Sequence, residues 1–230
     1  MNRKLHVNMT REEILGGWIL FFAELLLFPW LIRLGNQLFP GKFSDAIWDF
    51  LLQGLCFLAV IVIFRRFLAD SLRILSHRFQ KFFGAVLTGL ILDYALSALV
   101  SGLIARHIPG FQNANDQMLG TMLRSTPVLA VSILLFVPLT EECIYRGLFF
   151  AGLYPKSRAL AYLVSIAVFA AVHVLGYIGT VPGTELLAAF VQYLPAGLAL
   201  CWAYQQADSV FAPVLIHTLV NAIGIYTVLR

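Results

Sequence analysis

The stretch VPLTEECIYRGLFF, Val137 to Phe150, holds two adjacent glutamates and an arginine in a run that is otherwise almost entirely apolar. The rest of the chain has the same character, since 60% of its 230 residues are hydrophobic and only 12% are charged. The mean hydropathy is +0.84. This balance is typical of a membrane protein rather than of a soluble domain. It predicts an all-α fold, a polytopic bundle of transmembrane helices.

Apolar runs recur along the chain at about 20 residues, the length that a helix needs to cross a bilayer core of about 30 Å. We predict about seven spans, within a range of six to eight: Ile14–Leu34, Ile47–Phe64, Phe82–Ala105, Pro127–Tyr154, Ala159–Tyr177, Glu185–Tyr204 and Val210–Leu229. The fourth is too long for one simple span, so we expect it to bend or to emerge at its end. Apolar residues between Met118 and Leu123 follow helical spacing and predict a short helix on the membrane surface.

Domain organisation and orientation follow from composition along the chain. No repeat, low-complexity tract or linker interrupts it, so residues 1–230 are predicted to form one membrane-embedded domain. Basic residues mark cytoplasmic loops. They cluster in a predicted loop from Arg65 to Lys81 and again at Lys156 and Arg158, which predicts a multi-pass protein with a cytoplasmic N-terminus and an external C-terminus. The net charge of +4 is explained by this asymmetry and by contact with anionic lipid, so no nucleic-acid partner is expected.

The charged residues of the quoted stretch need partners, because a carboxylate deep in a bilayer costs on the order of 2.5 kcal/mol or more. Glu142 and Arg146 are spaced i,i+4 on one helical face, and we predict that they form an ion pair. A purely structural role for that pair is one interpretation. Glu141 points about 100° away around the helix axis, so the ion pair does not explain it.

Further polar residues lie inside later apolar spans. His173 stands in FAAVHVLGY, with Phe169 one turn before it and able to pack beneath it. His217 and Asn221 stand one turn apart in VLIHTLVNAIG and share a face. Simple depth estimates put Glu141 and His217 about 10 Å, and His173 about 20 Å, from the cytoplasmic side. Their convergence on one water-filled pocket therefore requires tilted or displaced helices.

Such a set can carry out hydrolysis. Peptide hydrolysis needs a group that takes a proton from water, a group that returns one to the leaving amine, and donors for the oxyanion. Glutamate and histidine supply the first two functions, and the Asn221 amide is a neutral donor. Glu141, His173 and His217 also match known zinc ligand sets, so the residues alone leave a metal site open.

The motifs resemble those of a known family. EECIYR at Glu141 to Arg146, FAAVH at Phe169 to His173 and HTLVN at His217 to Asn221 resemble, in order, the EExxxR, FxxxH and HxxxN motifs of the CPBP intramembrane proteases. That family, also called Abi, includes the CAAX prenyl endopeptidases and bacteriocin-processing or self-immunity proteins. The resemblance covers the motif-bearing half, about residues 127–229.

The resemblance implies roles for the individual residues. Glu141 and His173 would activate water, His217 and Asn221 would stabilise the oxyanion, and Glu142, Arg146 and Phe169 would support the site. The implied partner is a membrane-associated peptide or protein, prenylated or not. We expect a glutamate-dependent mechanism without a cofactor, because zinc would occupy Glu141, the only carboxylate free to act as a base; a zinc enzyme is the alternative.

Two other classes of function are compatible with the same residues. An ion-coupled transporter also uses intramembrane glutamate and histidine, although no repeated half is evident in the chain. A non-catalytic regulator of the same fold would need the bundle without the chemistry. Cys56, Cys143 and Cys201 all lie in predicted spans and are expected to be free, buried thiols.

Overall fold

A computed structural model describes residues 5–230, over which the chain forms nine helices and no β-strand. Seven of these helices are long, and the third and fifth are shorter. Their bounds are α1 Arg11–Leu38, α2 Asp45–Ile63, α3 Arg65–His77, α4 Phe79–His107, α5 Ala114–Ser125, α6 residues 129–151, α7 Arg158–Leu175, α8 Gly183–Ala207 and α9 Phe211–Leu229. The predicted all-α class is confirmed.

Six of the long helices are long and apolar enough to cross a membrane. They coincide with six of the predicted spans and are mostly longer, as in α4, which covers Phe79–His107 rather than Phe82–Ala105. The remaining long helix, α6, corresponds to the predicted span Pro127–Tyr154 and contains the three charged residues of the quoted stretch. The chain is a multi-pass membrane protein.

The surface and the interior of the bundle are both apolar. Large side chains such as Leu55, Val62 and Leu163 are 63%, 67% and 68% exposed, as expected for residues that face lipid. Inside, α8 packs against α4 and α7, and α9 packs against α4, α6 and α8. Phe150 and Tyr204 are fully buried among these helices. The site described below lies where α6, α7 and α9 meet.

The predicted loop from Arg65 to Lys81 is wrong, because most of it forms α3. Phe67 and Ser71, one turn apart, are completely buried, while the basic side chains lie on the opposite face. Glu13 of α1 accepts hydrogen bonds from the backbone amides of Arg66 and Phe67 and so caps the helix. The many basic residues led to the prediction of a loop, although the segment has the pattern of an amphipathic helix, with one buried face and one charged face. The short helix predicted around Met118 is confirmed as α5, with Asn113 as its N-cap.

The ends of the long helices form two faces. The N-terminal face, as we call it, comprises residues 5–10, α3, residues 152–157 and residues 208–210; contacts such as Ser209 Oγ to Ser71 O, 2.9 Å, join its parts. The opposite face, the α5 face, comprises residues 39–44, residues 108–128 and residues 176–182. There Arg124 of α5 donates to the carbonyl of Val228, 3.1 Å away.

Residues 5–10 are packed into the N-terminal face. Val7 is 1% exposed, and the hydroxyl of Tyr204 donates to its carbonyl oxygen over 3.4 Å. The amide of His6 donates to Asp208 Oδ1 over 3.0 Å, and its ring also contacts this carboxylate. Asp208 has φ +56° in the tight connection between α8 and α9. Gly147 of α6 leaves room for the side chain of Met9, which a Cβ at that position would strike.

Candidate active site

The helix that carries the EECIYR motif is not a uniform α-helix. α6 contains two π-helical segments, Ser132–Phe136 and Cys143–Ala151, and α1 contains a third, Ala23–Leu27. A π-helical turn displaces backbone carbonyls from the α-helical hydrogen-bond pattern and is frequent at functional sites. Here the carbonyls of Ile133 and Leu134 accept hydrogen bonds from two side chains of α9. The irregular helix is thereby fixed to its neighbour.

Glu142 lies at the centre of a buried charged group. Its Oε2 is 3.1 Å from Arg146 Nε, so the predicted ion pair is present, and both side chains are 0% exposed. Its Oε1 is 3.0 Å from Nδ1 of His217, a second partner that the sequence did not reveal. Because a carboxylate paired with arginine can only accept, His217 Nδ1 carries the proton. Glu142 therefore orients the imidazole of His217 as well as neutralising Arg146.

Glu141 faces a different histidine. Its Oε2 is 4.0 Å from Nε2 of His173, and the two side chains are 18% and 16% exposed. Nδ1 of His173 is 2.8 Å from the carbonyl oxygen of Phe169, which can only accept, so this nitrogen carries the proton of the neutral ring. Nε2 then faces Glu141 as an acceptor. Two proton acceptors thus stand opposite each other at the accessible part of the site.

Phe169 links the two pairs. Its ring centroid is 4.5 Å from that of His173 and 6.3 Å from that of His217. The guanidinium carbon of Arg146 lies 4.8 Å from the same ring centroid, in a cation–π contact. Phe169 itself is 3% exposed. The predicted packing beneath His173 is present, and the ring also separates the buried charged group from the accessible pair.

Asn221 is held differently from the other predicted residues. It lies one turn after His217 on α9 and is half-buried. Its Nδ2 donates to the carbonyl oxygen of Ile133 over 2.9 Å, about two turns before Glu141 on α6. One amide hydrogen is occupied by this bond, and the other is left for a further acceptor. The structure thus brings the two Glu–His pairs together around Phe169 and ties Asn221 to the same helix of the site.

Sequence reasoning missed Tyr193. Its ring centroid is 4.4 Å from that of His173, on α8. The neighbouring pair Gln192–Tyr193 interrupts an apolar span, and this was the available signal. Sequence reasoning also assigned no role to Glu24. Its Oε1 accepts a hydrogen bond from Cys56 Sγ over 3.1 Å. The three cysteines are free and buried, as predicted.

The geometry does not favour the alternative zinc site. Within residues 5–230, no three His, Cys, Asp or Glu side chains are grouped so that they could hold one metal ion. Of the alternative ligands, Glu141 Oε2 and His173 Nε2 are 4.0 Å apart, and His217 turns its Nδ1 to Glu142 and keeps Nε2 free.

Comparisons with known proteins agree with the motifs. Residues 123–223, which include every residue of the candidate site, match the family described as type II CAAX prenyl endopeptidase Rce1-like. The chain is also 21% identical over 221 residues to a Bacillus subtilis (strain 168) protein described as "Putative membrane peptidase YdiL", covering 90% of this chain and 84% of that protein. No solved structure matches the chain.

The fold and the site define a polytopic membrane protein with paired carboxylates and imidazoles inside its helical bundle. Residues 123–223 are thus similar to the Rce1-like type II CAAX prenyl endopeptidase family, and they carry the motifs that resemble those of the CPBP group.

Proposed function

We propose that the chain is an intramembrane endopeptidase that hydrolyses a peptide bond of a membrane-associated substrate with water activated by Glu141 and His173. The observation that carries the proposal is the opposition of these two side chains, each partly exposed, next to a Glu142–Arg146 pair that is 0% exposed. Reaction requires a carboxylate that is not already paired: Glu141 Oε2 is buried without a hydrogen-bond partner among the described residues, on a partly exposed side chain, whereas Glu142 is engaged by Arg146 and His217.

The first pair is suited to holding a water molecule. A separation of 4.0 Å is too long for a direct hydrogen bond but suits two groups bridged by water. Since Glu141 and Nε2 of the neutral His173 ring both accept, such a water would donate one hydrogen to each. Its oxygen lone pairs would then be free to attack a carbonyl carbon.

Both water protons have an assigned destination in the proposed reaction: one is transferred through Glu141, and the other stays on the attacking oxygen and leaves with the product carboxyl group. As the water oxygen bonds to the scissile carbonyl carbon, one water proton passes to Glu141 and the carbonyl oxygen becomes an oxyanion. Collapse of this tetrahedral intermediate breaks the C–N bond. Glu141 then returns the proton to the leaving amine, which regenerates the carboxylate.

The oxyanion would be stabilised by the two polar residues of α9. Asn221 retains one amide hydrogen beyond its bond to Ile133. His217 can donate from Nε2 only as an imidazolium, since its Nδ1 proton is held by Glu142. Arg146 and Phe169 keep Glu142 and the rings in position. Donors fixed in place in this way typically contribute about 10²–10³ in rate.

The decisive experiment compares the wild type with Glu141→Gln in proteoliposomes. Two fluorescence-quenched peptides serve as probes. In one, the fourth residue from the C-terminus is a farnesylated cysteine, and the other is the same peptide without the lipid. A bacteriocin leader peptide is the third probe. We expect Glu141→Gln to lower cleavage of the accepted probe by about 10²–10⁴, while Glu12→Gln, at an exposed glutamate of α1, leaves it unchanged.

The outcome also separates substrate classes and functions. Preference for the farnesylated probe would assign a CAAX-type substrate, and preference for the leader peptide would assign a processing role. Quantitative proteomics of the native host with wild type and Glu141→Gln extends the search to other membrane peptides. A host phenotype that Glu141→Gln preserves in full, with no peptide cleaved, would contradict the proposal and support the non-catalytic regulator.

We propose that this reaction proceeds without a bound metal. Support comes from the side-chain arrangement: Glu141 is available as a base, and within residues 5–230 no three His, Cys, Asp or Glu side chains are grouped so that they could hold one metal ion. Metal analysis of the purified active protein, with and without chelator, tests this. Stoichiometric zinc whose removal abolishes cleavage, and whose return restores it, would contradict the proposal.

We further propose that the N-terminal face is cytoplasmic. Apart from Arg146, eight of the described lysines and arginines lie in or within one turn of this face, and five lie in the α5 face or in the last two turns of helices that end there. The eight are Arg11, Arg65, Arg66, Arg73, Arg78, Lys81, Lys156 and Arg158, and the five are Arg33, Lys42, Arg106, Arg124 and Arg230. Excess positive charge marks the cytoplasmic side. In intact cells, a membrane-impermeant thiol reagent should label Gln112→Cys and not Arg73→Cys; the reverse pattern would invert the topology.

A further inference from the structure

His173 contacts two aromatic rings, which also pack edge-to-face against each other with their centroids 6.4 Å apart. Phe169 lies at a centroid distance of 4.5 Å on its own helix, and Tyr193 of α8 lies at 4.4 Å with an interplanar angle of 36°. The hydrogen bond from Nδ1 to the Phe169 carbonyl fixes one edge of the imidazole. The distance from Nε2 to Glu141 depends on the rotation of the ring, which the flanking Tyr193 ring limits.

Tyr193 is itself fixed by the first turn of α5. Asn115 Nδ2 donates to its hydroxyl oxygen over 3.0 Å, and that hydroxyl donates to Asp116 Oδ1 over 3.2 Å. The phenol therefore both accepts and donates a hydrogen bond at the first turn of α5. Both partners belong to a helix outside the six candidate spans.

The start of α5 is in turn anchored to α7 and α8. Tyr177, just beyond α7, places its hydroxyl 3.4 Å from Asn115 Oδ1 and 3.2 Å from Met118 Sδ, and it can donate to either of these α5 residues. Partial burial, together with the Asp116 carboxylate, raises the pKa of Tyr177, so this hydroxyl stays protonated and able to donate. Asn113, the N-cap of α5, donates to Gln192 Oε1 over 3.1 Å. α5 is thereby joined to the residue next to Tyr193.

We propose that Tyr193 is a positioning residue that holds the imidazole of His173 against Glu141, and that the first turn of α5 is part of the active site through it. This inference rests on the proposed hydrolytic function, because it assigns Tyr193 to the water-activating pair. Tyr193 acts through His173 and need not contact the substrate.

The first test is kinetic and uses whichever peptide probe the wild type cleaves. Tyr193→Leu removes the ring and the hydroxyl, and we expect kcat to fall about 10²-fold, the effect typical of a small misplacement of a catalytic group. KM should change by less than about twofold, since the substrate is not touched. Tyr193→Phe keeps the ring and should restore kcat to within about tenfold of the wild type.

The second test does not depend on cleavage. NMR spectra of protein carrying ¹⁵N-ring-labelled histidine report the tautomer and exchange of each imidazole, and His173→Gln assigns the signal among the five histidines. We expect one sharp set of ring ¹⁵N signals for His173 in the wild type, with the proton on Nδ1. In Tyr193→Leu this set should broaden or split, and Tyr193→Phe should show a smaller change of the same kind.

The matched control is Tyr162→Phe. Tyr162 also lies in the bundle, and its hydroxyl donates to Gln205 Oε1 over 2.6 Å, in a contact separate from that of His173. This variant should change neither kcat nor the His173 signal, even where its thermal stability falls.

Two results would overturn the inference: a His173 signal in Tyr193→Leu that matches the wild type, or an unchanged kcat in that variant. Should Tyr193→Leu fail to fold, Tyr193→Phe decides through the spectra, where a His173 signal identical to that of the wild type would overturn the inference. If the wild type cleaves no probe, the proposed function fails, while the spectra still decide whether Tyr193 positions His173.

Discussion

Adjacent glutamates in the same helix have separate environments. Glu142 is 0% exposed and contacts both Arg146 and His217, whereas Glu141 is 18% exposed and faces His173. The i,i+4 spacing allowed the contact between Glu142 and Arg146 to be predicted because it is local. The contact between Glu142 and His217 spans 75 residues and depends on how two helices pack, so the sequence could not supply it.

Removing Arg146 should destabilise the protein. Arg146→Ala leaves Glu142 without its main counter-charge in a fully buried position, a change that costs about 3–5 kcal/mol for a buried pair. We expect the midpoint of thermal unfolding in detergent to fall by about 10 °C or more. The exposed Arg158, whose guanidinium lies over the ring of Tyr162, provides the matched control Arg158→Ala. Equal midpoints for the two variants would mean that Glu142 is solvated.

The π-helical segments act at the scale of the helices. Apolar length predicted a span from Pro127 to Tyr154 that bends or emerges at its end, but not the two π-helical segments within α6. Such segments change the backbone pattern without changing composition, so periodicity does not detect them. Their displaced carbonyls bind the side chains of Thr218 and Asn221 on α9. The register between α6 and α9, and with it the site, depends on these bonds.

Thr218→Val tests this dependence. Its hydroxyl donates to the carbonyl oxygen of Leu134 over 3.0 Å, and valine keeps the shape while removing the donor. Interhelical hydrogen bonds in membranes contribute about 0.6 kcal/mol on average and at most about 1.7. We expect a loss of stability in this range, accompanied by lower activity, because Asn221 lies on the same helix.

Thr227→Val is the control for that variant. The hydroxyl of Thr227 donates over 2.7 Å to Gly224 within α9, so the substitution leaves the contact between helices intact. Activity losses of the same size in both variants would argue against a special role for the π-helical carbonyls.

At the scale of the molecule, the number and approximate positions of the long helices were predictable, while their arrangement was not. Apolar length reports whether a helix can lie in a bilayer, and six predicted spans meet that criterion. Which helices touch depends on side-chain packing, which hydropathy does not measure. The histidines could thus be chosen as candidate site residues from the sequence, but it could not be predicted that each would pair with a different glutamate. Tyr193 escaped notice because a tyrosine in an apolar span is ordinary.

Asp208 should determine how firmly residues 5–10 are held. Its carboxylate accepts the amide of His6 over 3.0 Å and contacts the His6 ring, and hydrogen bonds to a charged group contribute about 1.5–3 kcal/mol. Asp208→Gly removes the carboxylate while tolerating φ +56°. We expect faster hydrogen–deuterium exchange of the His6 amide. Asp208→Asn, which retains an acceptor, should show a smaller increase; unchanged exchange in both variants would contradict the assignment.

The packing of residues 5–10 against α8 also determines when this segment can reach its final position during biosynthesis. Tyr204 and Asp208, which hold Val7 and His6, are separated from them by 197 and 202 residues. These contacts cannot form until the ribosome has made nearly the whole chain and α8 has entered the membrane. At about 5–20 residues per second, the first segment waits on the order of ten seconds or longer for its binding site. A chain truncated before α8 therefore leaves this segment unsheltered, where quality-control proteases can recognise it.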